Sequence, residues 1–227
     1  MQRSIVAALC VSAALILAAC GADNGSPPTV PATFTVTTTT PTSTIPAPTS
    51  TPYVGPNGLP VETGPFLAPA TTTALGAIVK GVQCQSLAQL AYTAYSHLQV
   101  YVEGESRALP GGIGLVGERP QPTRNGLFFD ARTCMYWLHT RASDGLIEIQ
   151  SPVPRHYTLG DFFRIWNQPL NGRRVAGGTG QVTAIVNGSR WNGNPSAIPL
   201  NEHTEIELAV GTPVPAQQRT DWLGSGL

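Results

Sequence analysis

Four histidines (His97, His139, His156 and His203) and four cysteines (positions 10, 20, 84 and 134) are the side chains best suited to chemistry near neutral pH. Their spacing argues against several common arrangements. No His-x-x-x-His pair sets two imidazoles on one helical face, and no Cys-x-x-Cys offers two thiolates to one metal. There is no Gly-x-Ser-x-Gly nucleophile elbow, and Ser96-His97 is a sequence adjacency with no acid assigned to it. Gly177-Gly178-Thr179-Gly180 lacks the strand and helix that turn a glycine-rich run into a phosphate cradle, so it reads as a loop. No segment suggests the paired carboxylates of glycoside hydrolysis. The balance of the chemistry leans away from an enzyme.

The start of the chain reads as an address. After Met1-Gln2-Arg3, residues 5–19 form an uncharged apolar run, shorter than the about 20 residues of a spanning helix, so 1–19 reads as a signal peptide. The run ends in Leu17-Ala18-Ala19-Cys20, which resembles the lipobox of bacterial lipoproteins. That resemblance implies a diacylglyceryl group on the Cys20 sulfur, cleavage before Cys20 and acylation of its new amine, palmitate being a typical chain. Two or more acyl chains anchor stably where one holds weakly. The expected location is the extracytoplasmic side of the cell membrane, with the lipid as the membrane contact.

The linker, residues 20–73, follows. Residues 21–73 hold 15 Thr and 11 Pro but only two charges, Asp23 and Glu62. So little apolar surface does not offset the entropy of ordering, and a disordered stalk is expected, reaching roughly 160 Å as extended polyproline II. The short apolar islands Tyr53-Val54-Gly55-Pro56 and Phe66-Leu67 are read as part of that stalk. The folded unit is expected over residues 74–213, with a C-terminal tail at 214–227. Thirteen Lys and Arg balance thirteen Asp and Glu, which removes any electrostatic argument for nucleic acid as a partner. Cys84 and Cys134 are the only cysteines of the folded unit, and an oxidising compartment favours a disulfide between them. Closing a loop of about 50 residues contributes roughly 4 kcal/mol on the chain-entropy model.

The periodicities predict the elements that must position these residues. Residues 86–96 carry Leu87, Leu90, Ala91 and Ala94 at helical spacing behind a Ser86 cap. Leu98, Val100 and Val102 then alternate with His97, Gln99 and Tyr101, and Glu103-Gly104 turns the chain. Residues 134–139 and 146–150 form a second pair of strands across Ser143-Asp144-Gly145. Thr158-Leu159-Gly160-Asp161 has the form of a capping box before Phe162, Phe163, Ile165 and Trp166. Residues 181–191 turn at Asn187-Gly188, which suits a type I′ hairpin. A last strand places Thr204, Ile206, Leu208 and Val210 on one face and His203, Glu205 and Glu207 on the other. The expected class is α+β: a mixed sheet built from hairpins with one or two helices, β-grasp-like in order.

Several segments resemble one uncharacterised family of exported bacterial proteins. They include Gly81-Val82-Gln83-Cys84, His97-Leu98-Gln99-Val100-Tyr101-Val102-Glu103-Gly104, Leu109-Pro110-Gly111-Gly112-Ile113-Gly114 and Cys134-Met135-Tyr136-Trp137-Leu138-His139-Thr140. The likeness runs over about residues 81–213, and the family lends no established activity. It implies a histidine-rich site of metal-binding type, built on a His-x-His and a His-Thr-His-Asp. Here those positions read Tyr95-Ser96-His97 and His139-Thr140-Arg141, so Tyr95 and Arg141 replace two of the four ligands. Arginine is always protonated and does not ligate.

Three readings remain open from there. In one, His97 and His139 converge with His203 or an acid such as Asp144 or Glu148 on copper or zinc. In another, Arg141 with Tyr95 and His139, and Arg155 or His156 nearby, grips an anion. In the blandest, His97 and His203 sit on solvated strand faces and His139 packs near Trp137. The leading expectation is a non-catalytic binding or interaction module with an unknown envelope ligand or protein partner. A metal-binding lipoprotein is the first alternative, and a small envelope hydrolase a distant one.

Overall fold

A computed structural model describes residues 53–71 and 74–227. The signal segment, Cys20 and the linker up to residue 52 lie outside the described residues. In chain order the first strands are β1 (Cys84–Gln85), β2 (Tyr92–Val102), β3 (Glu105–Arg107), β4 (Leu115–Thr123), β5 (Gly126–Tyr136), β6 (Leu138–His139), β7 (Leu146–Ser151) and β8 (Tyr157–Thr158). Helix α1 (Leu159–Ile165) leads to β9 (Leu170–Asn171), β10 (Arg174–Val175), β11 (Gly178–Thr179), β12 (Val182–Val186) and β13 (Ser189–Trp191). Then come β14 (Pro199–Leu200), β15 (Thr204–Val210) and α2 (Trp222–Ser225).

The main sheet has the order β13-β12-β15-β2-β7-β6, with β3 pairing β2 off that path. Its central strands β2 and β15 are parallel and every other pairing is antiparallel. A parallel central pair of early and late strands, with α1 between them in sequence, is a β-grasp-like arrangement in the expected α+β class. Thr158 caps α1 as its sequence predicts: its hydroxyl accepts from the Asp161 N–H, and the Asp161 carboxylate accepts from the Thr158 N–H. Alternation along β2 and β15 sends Leu98, Val100, Ile206 and Leu208 to the face where Phe162, Phe163, Ile165 and Trp166 complete the core.

Three expectations are corrected. Residues 86–96 are not a helix; a 3-10 turn at Leu87–Gln89 leads directly into β2. Tyr92, Thr93 and Tyr95 are strong strand formers, and pairing with both β7 and β15 outweighs the helical spacing of a few small apolar residues. Residues 53–71 are part of the folded domain. Leu59 and Leu67 are buried, the Leu67 N–H donates to the Ala108 carbonyl, and the Trp166 indole donates to the Pro69 carbonyl. Two well-placed leucines and these bonds are invisible in a composition averaged over the whole Thr/Pro tract. Finally, residues 214–227 lie along the sheet as a strap rather than trailing from it: the Gln217 amide donates to the Glu205 carbonyl and the Thr220 N–H to the Glu205 carboxylate.

A second, three-stranded sheet has the order β1-β5-β4. Cys84 and Cys134 are disulfide-bonded and tie β1 to β5. The long β4–β5 ribbon turns at Arg124-Asn125, and Pro120 and Pro122 on its outer strand remove donors from an open edge.

Candidate functional site

Polar side chains collect on the face of the main sheet turned away from α1. Register sets the first group: Glu148 on β7 lies between Tyr95 on β2 and His139 on β6, all three side chains on one face. The His139 Nδ1–H donates to the Tyr136 carbonyl at 2.8 Å, which turns Nε2 toward the Glu148 Oε2 at 3.4 Å. Arg141 returns to the same carboxylate, its Nε 3.2 Å from Oε2, while its Nη1 lies 3.6 Å from Asp130 and its Nη2 3.0 Å from the Met135 sulfur. The guanidinium also rests over the Phe128 ring, 5.3 Å from its centroid. His139 is fully buried, and Arg141 and Glu148 nearly so. Burial and then the Glu148 and Glu202 charges push the Tyr95 hydroxyl up, against Arg141.

The second group lies beside the turn before β7. The His97 Nε2–H donates to the Asp144 carbonyl at 2.8 Å, and burial lowers the imidazole against that bond and the nearby Glu205. Gly145 has φ +74, and a Cβ there would meet the Leu98 carbonyl and His97 Nε2, so this turn requires glycine. Asp144 is fully buried and raised to about 6 by that burial, although the Leu146 N–H and the Asn57 amide donate to it. From residues 53–71 comes Glu62, whose carboxylate accepts from the Leu109 N–H and is raised to about 8, first by burial and then by Asp144.

The third group is at the start of β15. His203, at φ +56, stacks on Trp222 with centroids 4.5 Å apart and approaches Glu202 Oε1 at 2.9 Å. His97 meets the same indole edge-on at 6.4 Å. Glu205 and Glu207 follow on β15, both buried, and burial raises Glu207.

The expected site residues therefore separate. Tyr95, His139 and Arg141 come together around Glu148, and His97 and His203 meet on Trp222. The three histidines do not form one ligand set, and among the described residues no three His, Cys, Asp or Glu side chains are placed to hold a metal ion. The anion reading is corrected: Arg141 is held by two carboxylates, which repel a further anion. Arg155 stacks instead on Trp137, and with His156 lines a cleft beside Tyr92 and Glu202. His97 is corrected as well, being buried rather than on a solvated face.

Glu62, Asp130 and Trp222 belong to these groups and were not legible as such. Each comes from a segment outside the main sheet, so the alternation of the main-sheet strands does not point to it. Chemically the arrangement is a set of buried acids and imidazoles with one guanidinium among them, and no described nucleophile is set against a base. No family model matches the chain, and no curated protein and no solved structure matches it.

Proposed function

We propose that the protein is a lipid-anchored extracytoplasmic lipoprotein whose domain is a non-catalytic binding or interaction module of the cell envelope. The observation that supports this most is the internal pairing of its best chemical groups. Glu148 lies against both His139 and Arg141, at 3.4 and 3.2 Å, and His97 is bonded to the Asp144 carbonyl. Groups so occupied fix strands and turns, and a catalytic acid or base needs reach to a substrate proton. The Leu17-Ala18-Ala19-Cys20 sequence supports the anchor, and no helix among the described residues is long and apolar enough to cross a membrane.

The test combines fractionation with capture in the native envelope. Wild-type chain is expected in the membrane fraction with a diacylglyceryl mass on Cys20, and Cys20→Ala in the aqueous fraction. In-cell crosslinking is expected to join the domain to one partner, with equal yield for His139→Ala once folded protein is matched. A soluble wild type would contradict the anchor. Turnover of an envelope substrate that His139→Ala abolishes at matched folding would contradict the non-catalytic reading.

A further inference from the structure

The C-terminal strap lies on β15 as a bound peptide would. Pro213 packs against Gly104, beyond the C-terminal end of β2. Gln217 is already at the opposite end of the strands, its amide donating to the Glu205 and Ile185 carbonyls at 3.2 and 3.4 Å and accepting from the Gly188 N–H at 2.7 Å. The Thr220 N–H donates to Glu205 Oε1 at 2.9 Å, Arg219 lies 3.5 Å from Glu205 Oε2, and Trp222 stacks on His203. The hold is slight: the Arg219 side chain is 74% exposed and Leu223 97%.

Strand β15 offers more than the strap uses. Glu207 projects from the same face as Glu205, about 6.8 Å further along an extended strand. It is fully buried, and neither carboxylate oxygen has a hydrogen-bond partner; Gln99, its register partner on β2, has an unpartnered Oε1 as well. Three acceptors thus lack a donor, and between Pro213 and Gln217 the strap carries Val214, Pro215 and Ala216, none with a polar side chain. A buried carboxylate without a donor is costly, and a guanidinium or ammonium removes that cost. Arg219 supplies one cation, to Glu205. The second acidic position is unmatched.

We propose that the outer face of β15 recognises an extended basic peptide segment with Arg or Lys at two alternate positions, one for Glu205 and one for Glu207, and that residues 214–227 occupy this face as a displaceable stand-in. The spacing of alternate residues in an extended chain equals that of the two glutamates. The incoming guanidinium donates to Glu207 and to Gln99 Oε1, and Trp222 leaves with the strap. The site rests on the reading of the domain as a binding module and names the chemistry of the partner.

The test uses the full chain in nanodiscs and two labelled nine-residue peptides of Ser, Thr and Ala. One carries Arg-x-Arg at its centre and the other a single Arg. The double-Arg peptide is expected to bind at least roughly tenfold more tightly than the single. Glu207→Gln is expected to reduce that ratio to near one while sparing the fold, and Trp222→Ala to tighten both peptides by loosening the strap. Equal binding of the two peptides, or binding insensitive to Glu207→Gln, overturns the site. So does absence of binding to wild type and Trp222→Ala when both are folded. If these fail while in-cell crosslinking still joins the domain to one partner, the module reading survives and this site does not.

Discussion

The two faces of the main sheet are built by the same strands and differ in everything else. On one face, Leu98, Val100, Ile147, Ile149, Ile206 and Leu208 pack against the aromatic residues of α1 and its C-cap. On the other, His97, Glu148, Glu205 and Glu207 are buried, with segments from the two ends of the described chain reaching Asp144 and Glu205. The first face is an ordinary core, stabilised by apolar area removed from water. The second is covered without being apolar, so its order depends on matching each charge with a donor. Around Glu148 the charge is met by the Arg141 guanidinium at 3.2 Å, whereas at Glu207 both carboxylate oxygens are buried without a donor.

The largest effect should come from the helix face. Phe162→Ala empties a fully buried aromatic site and is expected to cost about 3–5 kcal/mol in denaturant unfolding. Arg141→Ala tests the Glu148 part of the polar face, because it leaves the buried Glu148 without its guanidinium, while Asp130 keeps Arg119. A loss of about 3 kcal/mol is expected, and combining it with Glu148→Gln should recover part of that. A loss no larger than an exposed pair gives would mean that this cluster is peripheral.

The acid that residues 53–71 contribute should make stability depend on pH. Glu62 rises from 4.5 to about 8, so its folded form prefers the proton: the stabilisation is full below about pH 4.5 and is lost as pH climbs through 8. Asp144, raised from 3.8 to about 6, acts in the same sense at lower pH, while His97, lowered from 6.5, acts oppositely on acidification. Between pH 6.5 and 8 Glu62 dominates, and melting temperature should fall across that window. Glu62→Gln should flatten the slope there. The smallest effect is expected from Trp222→Ala, which loses one stacked and half-exposed contact, about 1 kcal/mol or less in global unfolding.

Sequence legibility followed the same division. The Thr158–Asp161 capping box, the Asn187-Gly188 turn and the alternation of β15 are local codes, and each marks the element it predicts. Residues 86–96 misled because Leu87, Leu90, Ala91 and Ala94 fit a helix, while the pairing that makes β2 a central strand lies about 50 and 110 residues away. The β4–β5 ribbon is not among the elements the sequence predicts: Pro120 and Pro122 interrupt the strand signal of β4, which tolerates them because it is an edge strand. Alternation assigns His97, Glu205 and Glu207 to one face correctly. That this face is covered depends on Asn57, Glu62, Gln217 and Trp222, which belong to no periodic segment.

The central claim is that the polar face is covered by a segment able to leave it while the sheet stays folded. Residue-resolved amide hydrogen exchange on the full chain tests this directly. The account predicts that the Thr220 and Gly224 amides exchange through local opening, with protection insensitive to Phe162→Ala, while amides of β2 and β15 exchange only on global unfolding and lose protection in that variant. Strap amides as slow as those of β15, and weakened equally by Phe162→Ala, would contradict it.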